Sequence, residues 1–212
     1  HMKILLLHMR FHPDMTGTAP LVTALAVDLV KKGAEVTVIA SRPHYGTNSV
    51  GESLGGRWVE SSVHEGARVH RTRAHVPRNA GGLERGLNYL SYNLLSPGAA
   101  LVGSGDDVCL CVSPPITVGM TGTLMQLLRG TPLVFVVQDV WPDCLRAIGQ
   151  LQSRTLFGAF RLLEKMIYRK ATRVVAVSEG MKEHLVSNKG VPAGKLAVIP
   201  NWADVDEIRT NT

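Results

Sequence analysis

At 212 residues, with 45% hydrophobic and 19% charged side chains, the chain has the balance of a globular protein with a sizeable core and not that of a disordered segment. No stretch approaches the ~20 consecutive apolar residues of a membrane-spanning helix, and Ile4 to Leu7 is too short for a secretory apolar region. A formal charge of +6 suits an anionic partner without choosing among nucleic acid, a lipid surface and a phosphorylated substrate. Lys3 to Met9 reads as a continuous apolar strand, Thr18 to Lys32 as a helix with Leu21, Leu25 and Leu29 on one stripe, Gly33 as its C-cap, and Glu35 to Ala40 as the next strand. Residues 41 to 66 read as a long loop with room for a short hairpin, and Val63 to Arg73 as a further strand. After a linker from Pro77 to Gly82, a helix runs from about Leu83 to Ser96. Leu83, Leu87, Leu90 and Leu94 keep helical spacing along it, and Pro97 ends or kinks it.

Asp107 to Val112 is the next strand, followed by Ser113-Pro114-Pro115 as an N-cap opening a helix through Leu128. Gly130 closes that helix, and Pro132 to Gln138 is a β-branched strand. Ser153 to Ala171 is a long helix, Arg173 to Val177 a strand, Glu179 to Lys189 a helix capped by Ser178, and Leu196 to Ile199 a last short strand. Strands that are apolar throughout, alternating with helices, specify an α/β domain with one doubly wound, Rossmann-like parallel sheet covered on both faces. Ligands of such sheets bind beyond the carboxyl ends of the strands, so the residues after each strand are the ones to inspect.

The first strand exits into Arg10 to Pro20, where Gly17 and Thr18 precede a helix. That is either an ordinary turn or a phosphate or sugar contact favoured by the helix dipole. No GxGxxG is present, which disfavours a dinucleotide fold. Gln138-Asp139-Val140-Trp141-Pro142-Asp143 has two readings. It is a sugar-facing rim, with carboxylates for hydroxyl groups and an indole for a sugar face, or a turn capped by Asp139 with Trp141 in the core. On the helix from Ser153, Arg154, Arg161, Lys165 and Arg169 share a face opposite Leu156, Phe160, Leu163 and Ile167. This stripe is a solvated face or a surface for anionic lipid, which Arg71, Arg73, Arg78 and Arg85 would extend around a helix with exposed-looking Tyr89 and Tyr92. No nucleic-acid motif accompanies the charge. Cys109, Cys111 and Cys144 lack metal-ligand spacing and read as buried small side chains of a reducing compartment. The eight histidines show no metal pattern, and Ser178 lacks the setting of a hydrolase nucleophile.

Taken in order, several segments resemble one family. They are Met2-Lys3-Ile4-Leu5 with the loop to Ala19, the strand from Glu35, Ser113-Pro114-Pro115, Gln138 to Asp143, Glu164 with Tyr168-Arg169, Val177 to Met181, and Val198 to Asp204. The chain looks like the N-terminal domain of a family 4 glycosyltransferase of the GT-B fold, similar to the bacterial colanic-acid and O-antigen enzymes of surface-polysaccharide synthesis. The resemblance implies an acceptor-side domain over residues 2–200, the start of an interdomain hinge over 201–212, and a donor-binding C-terminal domain that is absent. It implies a retaining hexosyl- or N-acetylhexosaminyl-type transferase whose isolated fragment is inactive. A nucleotide-sugar is the co-substrate, and neither metal nor cofactor is required.

By the same resemblance Gly17 and Thr18 contact the donor, Asp139 and Gln138 stand at the reaction centre, and Trp141, Asp143 and Ser113 meet the acceptor. The acceptor is a lipid-linked saccharide at the inner face of the cytoplasmic membrane, with Arg154, Arg161, Lys165 and Arg169 toward the lipid. The chain departs from the family in three places. One glycine stands where many members have a pair, Gln138 replaces a histidine and cannot act as a base, and Cys144 replaces a serine. A sugar-nucleotide 2-epimerase of the same fold, or a non-catalytic sugar- or membrane-binding module, is the alternative.

Overall fold

Leu5 and Leu7 of the first strand point to one side of a sheet, and Ile4 and Leu6 to the other, and all four are buried. A strand covered on both faces needs two layers of helices, and the computed structural model supplies them. It describes residues 1–43, 58–76, 82–102 and 105–202, with side chains for all of these except 82 and 83. Eight strands form one sheet: β1 (Lys3–Leu7), β2 (Glu35–Ser41), β3 (Val59–His64), β4 (Ala67–Thr72), β5 (Val108–Ser113), β6 (Leu133–Val137), β7 (Arg173–Ala176) and β8 (Leu196–Val198). Their order is β3-β4-β2-β1-β5-β6-β7-β8, and every pairing is parallel except β3 with β4. On one face lies α1 (Ala19–Lys31). The other carries α2 (Gly82–Ala100), α3 (Val118–Arg129), α5 (Arg154–Lys170) and Leu185 of α6 (Glu179–Lys189), and a short α4 (Asp143–Ala147) follows β6.

Most expected elements are present with end shifts of a few residues, and the differences have local causes. The expected strand from Val63 is a hairpin, β3 and β4, turned by Glu65 and Gly66 with φ of 43° and 85°, the signs of a type I′ turn. Ser113 is not a helix cap. It ends β5 opposite Val137, and two prolines without N–H groups delay the helix to Val118, whose own N–H reaches back to the Pro115 carbonyl. Pro97 does not end α2, which continues to Ala100. Burial of Ala99 and Ala100, and the Ser96–Thr121 hydroxyl bond of 2.8 Å, offset the missing N–H.

The inward stripe of α2 is not the leucines. Asn88, Tyr92, Ser96 and Ala99 face the sheet, while Leu87, Leu90 and Leu94 are exposed, Leu94 at 71%. Tyr92, expected at the surface, is fully buried and donates to the Ile39 carbonyl at 2.9 Å. The cap at Ser178 forms as expected, and Ser153 caps α5 in the same way, each hydroxyl accepting from the backbone N–H three residues on. Residues 44–57, including His44, the linker residues 77–81 with Arg78, and the hinge residues 203–212 lie outside the described residues.

Both β5 cysteines are buried as small apolar groups and unbonded covalently, under α3. A Cβ added at Gly122 would stand 2.4 Å from Cys111 Sγ and 2.7 Å from Leu133 Cδ1. A Gly122→Ala variant is therefore expected to lose about 1–3 kcal/mol despite its better helix propensity, read as an earlier midpoint in urea unfolding. An unchanged midpoint would show that α3 can lift off the sheet at no cost.

Candidate functional site

The chain moves outward from β1 through β2 and β4, then returns to the other side of β1 as β5. The loops after β1 and β5 thus part at a topological switch point, where open α/β sheets hold their ligands. A cavity of about 170 Å³ lies there, lined by His8, Arg10, Gly17, Thr18, Tyr89 and Asp139, with Met9, Pro114 and Pro115 between them. Four parts of the chain position these groups. The exit of β1 delivers His8 and Arg10, the loop into α1 delivers Gly17 and Thr18, α2 delivers Tyr89, and the turn after β6 delivers Asp139.

His8 organises the cavity floor. Its Nδ1 lies 2.8 Å from the Val112 carbonyl, which can only accept, so Nδ1 carries the proton. Nε2, 2.9 Å from Thr18 Oγ1, is then the acceptor, and the Thr18 hydroxyl spends its proton on His8. Burial lowers the His8 pKa from 6.5 to about 4, so the ring is neutral at pH 7. Gly17 sits at φ 63°, one residue before the position that caps α1, and Arg10 reaches over this loop to Thr16. Cationic Arg10 beside a helix N-terminus favours an anion. On the opposite side Asp139 is exposed, and among the described residues its carboxylate has no hydrogen-bond or ion-pair partner.

Gly17, Thr18 and Asp139 are brought together as the sequence reading requires. The other residues of that reading are placed elsewhere. The Gln138 amide oxygen is held by Asn201 Nδ2 at 2.8 Å, tying the β6 exit to the segment after β8. Trp141, read as an acceptor platform, is 5% exposed and packs edge-on between Tyr89 and Phe160 in the core. Ser113 is buried at the end of β5, without exposed surface to offer an acceptor. Asp143 is paired with Lys189, which also holds Glu164 at 2.9 Å, so its carboxylate fastens α4 to α5 and α6.

Arg154, Arg161, Lys165 and Arg169 are all exposed along α5. Leu162 and Met166 are exposed between them, beside a shallow groove. Arg71 does not extend this surface. It lies on β4, toward the far edge of the sheet from β6, and donates to Ser62 and to the His12 carbonyl. No described helix is long and apolar enough to cross a membrane. Sequence reading missed His8 and Tyr89 as cavity residues. The signal for His8 was a polar side chain ending an apolar strand at its carboxyl end.

Over residues 16–202 the chain matches the family described as the glycosyl transferase 4-like domain. It is 27% identical over 210 residues to the colanic acid biosynthesis glycosyl transferase WcaI assigned in Escherichia coli K12, covering 96% of this chain and 51% of that one. Among solved structures, sucrose-phosphate synthase from Thermosynechococcus elongatus matches with a TM-score of 0.63 at 14% identity, over 100% of this chain and 52% of that one. Anabaena HepE, solved with UDP and glucose, matches at 0.57 and 18%, over 97% and 46%. At such identities the structural likeness is one of fold, and the chain spans about half the length of each relative. With one sheet wound as in the GT-B enzymes and a family match over residues 16–202, the chain belongs to the glycosyl transferase 4-like family.

Proposed function

We propose that this chain is the acceptor-side wall of a retaining glycosyltransferase that moves a sugar from a nucleotide diphosphate to a lipid-linked saccharide during surface-polysaccharide synthesis. The observation that carries the reading is the meeting of Gly17, Thr18 and Asp139 in one crevice at the switch point of the sheet. Arg10 and the α1 N-terminus suit the donor's phosphates, and Asp139 suits a hydroxyl that gains or loses a proton. HepE, a structural relative, has been solved with UDP-glucose, which supports a nucleotide-sugar here. Gln138 orders the wall through Asn201 and takes no proton, leaving Asp139 as the only carboxylate among the described residues that line the crevice.

In the full-length protein assayed with UDP-sugars and a polyprenyl-phosphate saccharide, Asp139→Asn is expected to lower kcat by about 100-fold or more. Unchanged turnover would remove Asp139 from the mechanism. Product analysis with acceptor omitted separates transfer from donor cleavage by an epimerase.

The basic face of α5 docks an anionic leaflet in this reading, with Leu162 and Met166 at the acyl boundary. Each basic residue near such a surface contributes roughly 1 kcal/mol. Arg161→Glu with Lys165→Glu is therefore expected to weaken co-sedimentation with phosphatidylglycerol vesicles at least about tenfold, and salt to weaken the parent in the same sense. Binding indifferent to lipid charge and ionic strength would refute the docking account.

A further inference from the structure

A second cavity, of about 410 Å³, opens beside the polar crevice. Tyr89, Trp141, Leu145, Leu151, Leu156 and Phe160 form its apolar walls. Tyr89 belongs to both cavities, so its ring is the partition between a polar chamber and an apolar one. The aromatic walls are held in place. Tyr89 and Phe160 each meet the Trp141 ring edge-on, at 6.1 and 5.9 Å between centroids. At the rim Arg85 donates to the Gln150 side-chain oxygen at 3.2 Å, which sets a guanidinium at the mouth of an otherwise uncharged pocket. Leu156, on the first turn of α5, completes the wall together with Phe160, both on the helix face opposite the basic residues.

We propose that this second cavity receives the hydrocarbon carried by the acceptor, which lies across Tyr89 with its saccharide in the polar crevice. The inference rests on the transferase reading of that crevice. Concavity, continuity with the crevice through Tyr89 and a wall supplied by the apolar face of α5, the helix that carries the basic residues, favour a tethered hydrocarbon over a partner protein. The Arg85 guanidinium at the rim suits a phosphate that joins the hydrocarbon to the sugar. Trp141 thus serves the acceptor from beneath, as the floor for its apolar part rather than as a stacking platform for its sugar.

The chain itself tests the site with monomeric n-octyl and methyl β-glucosides, followed by NMR of the Trp141 indole and the Phe160 ring. The octyl compound is expected to shift both signals and to bind at least about tenfold more tightly than the methyl compound. Gly86, on α2, lines the same cavity, and a Cβ there meets nothing within 4 Å. Gly86→Phe is therefore expected to fill the pocket from a tolerant position and to weaken octyl binding at least about tenfold, with Leu156→Ser at the outer wall acting in the same direction. Equal octyl affinity in the parent and both variants, or shifts confined to Leu162 and Met166 on α5, would overturn the proposal. In the full-length enzyme, a KM preference for octyl over methyl acceptor that Gly86→Phe leaves unmoved overturns the cavity and spares the transferase reading. Octyl binding lost in Gly86→Phe, with no sugar transfer from any donor in the parent, upholds the cavity as an apolar-glycoside site and removes the transferase reading.

Discussion

Replacing Lys189 by methionine is expected to destabilise the domain by about 3–5 kcal/mol and to lower its thermal midpoint by roughly 10 °C. The Lys189 side chain is buried, and its ammonium group lies between Asp143 and Glu164, the latter only 2% exposed. Burial raises the Glu164 pKa, and the hydrogen bond and charge of Lys189 oppose that rise. Without the lysine, Glu164 keeps the desolvation cost and loses its partner, which is why breaking a buried pair costs more than the pair contributes. The variant pair isolates the mechanism. Lys189→Met with Glu164→Gln leaves no uncompensated buried charge, because the remaining carboxylate of Asp143 is 40% exposed, and is expected to recover at least about half of the loss, since a neutral amide tolerates burial better than a carboxylate. A single Lys189→Met variant within about 1 kcal/mol of the parent would show that the three groups are solvated in solution. The consequence reaches the crevice as well. Asp143 opens α4 four residues after Asp139, so this ion group anchors the turn that presents the candidate catalytic carboxylate.

Acid is expected to destabilise the chain through His8, by about 3 kcal/mol between pH 6.5 and 4. The folded pKa of about 4 lies below the ordinary 6.5, so the unfolded chain binds the extra proton throughout that window. Stability is fully present above pH 6.5, falls as the pH drops toward 4, and is level below it. Protonation would remove the acceptor at Nε2 and break the bond from Thr18, so the same transition loosens the loop that holds Gly17. Glu164 works in the opposite sense, because its pKa is raised on folding and its contribution shrinks as pH rises. Comparison of the parent with His8→Asn cancels that background. The measurement is urea unfolding at pH 7, 5.5 and 4.5, and the difference in slope between the two proteins reports His8 alone. Parallel curves would place an ionised imidazole in the fold and reverse the proton assignment between His8 and Thr18.

These two effects come from contacts that no local pattern announces. Lys189 and Asp143 are 46 residues apart and Val112 is 104 residues from His8, so each pairing exists only once the strand order does. The α2 helix teaches the same lesson. Its leucine spacing is a valid helical stripe, yet Asn88, Tyr92 and Ser96 face inward because the sheet and α3 offer their polar atoms partners, including Ile39 and Thr121. The β3–β4 hairpin was faint for another reason. Val59-Glu60-Ser61-Ser62 lies on an edge strand with Ser61 and Ser62 exposed, and lacks the apolar run that marks a buried one.

By itself the sequence determined the doubly wound α/β class, seven of the eight strands, the caps at Ser178 and Gly130, and the exposed basic stripe of α5. All of these follow from periodicity and residue chemistry within a few turns of chain. The tertiary structure alone decided that Trp141 and Ser113 are buried, that Asp143 is tied to Lys189, and that His8 and Tyr89 join Gly17, Thr18 and Asp139 around one crevice. Periodicity says which residues share a face. Which face meets which neighbour is set by long-range strand pairing, and a site assembled from three loops exists only after that pairing is made.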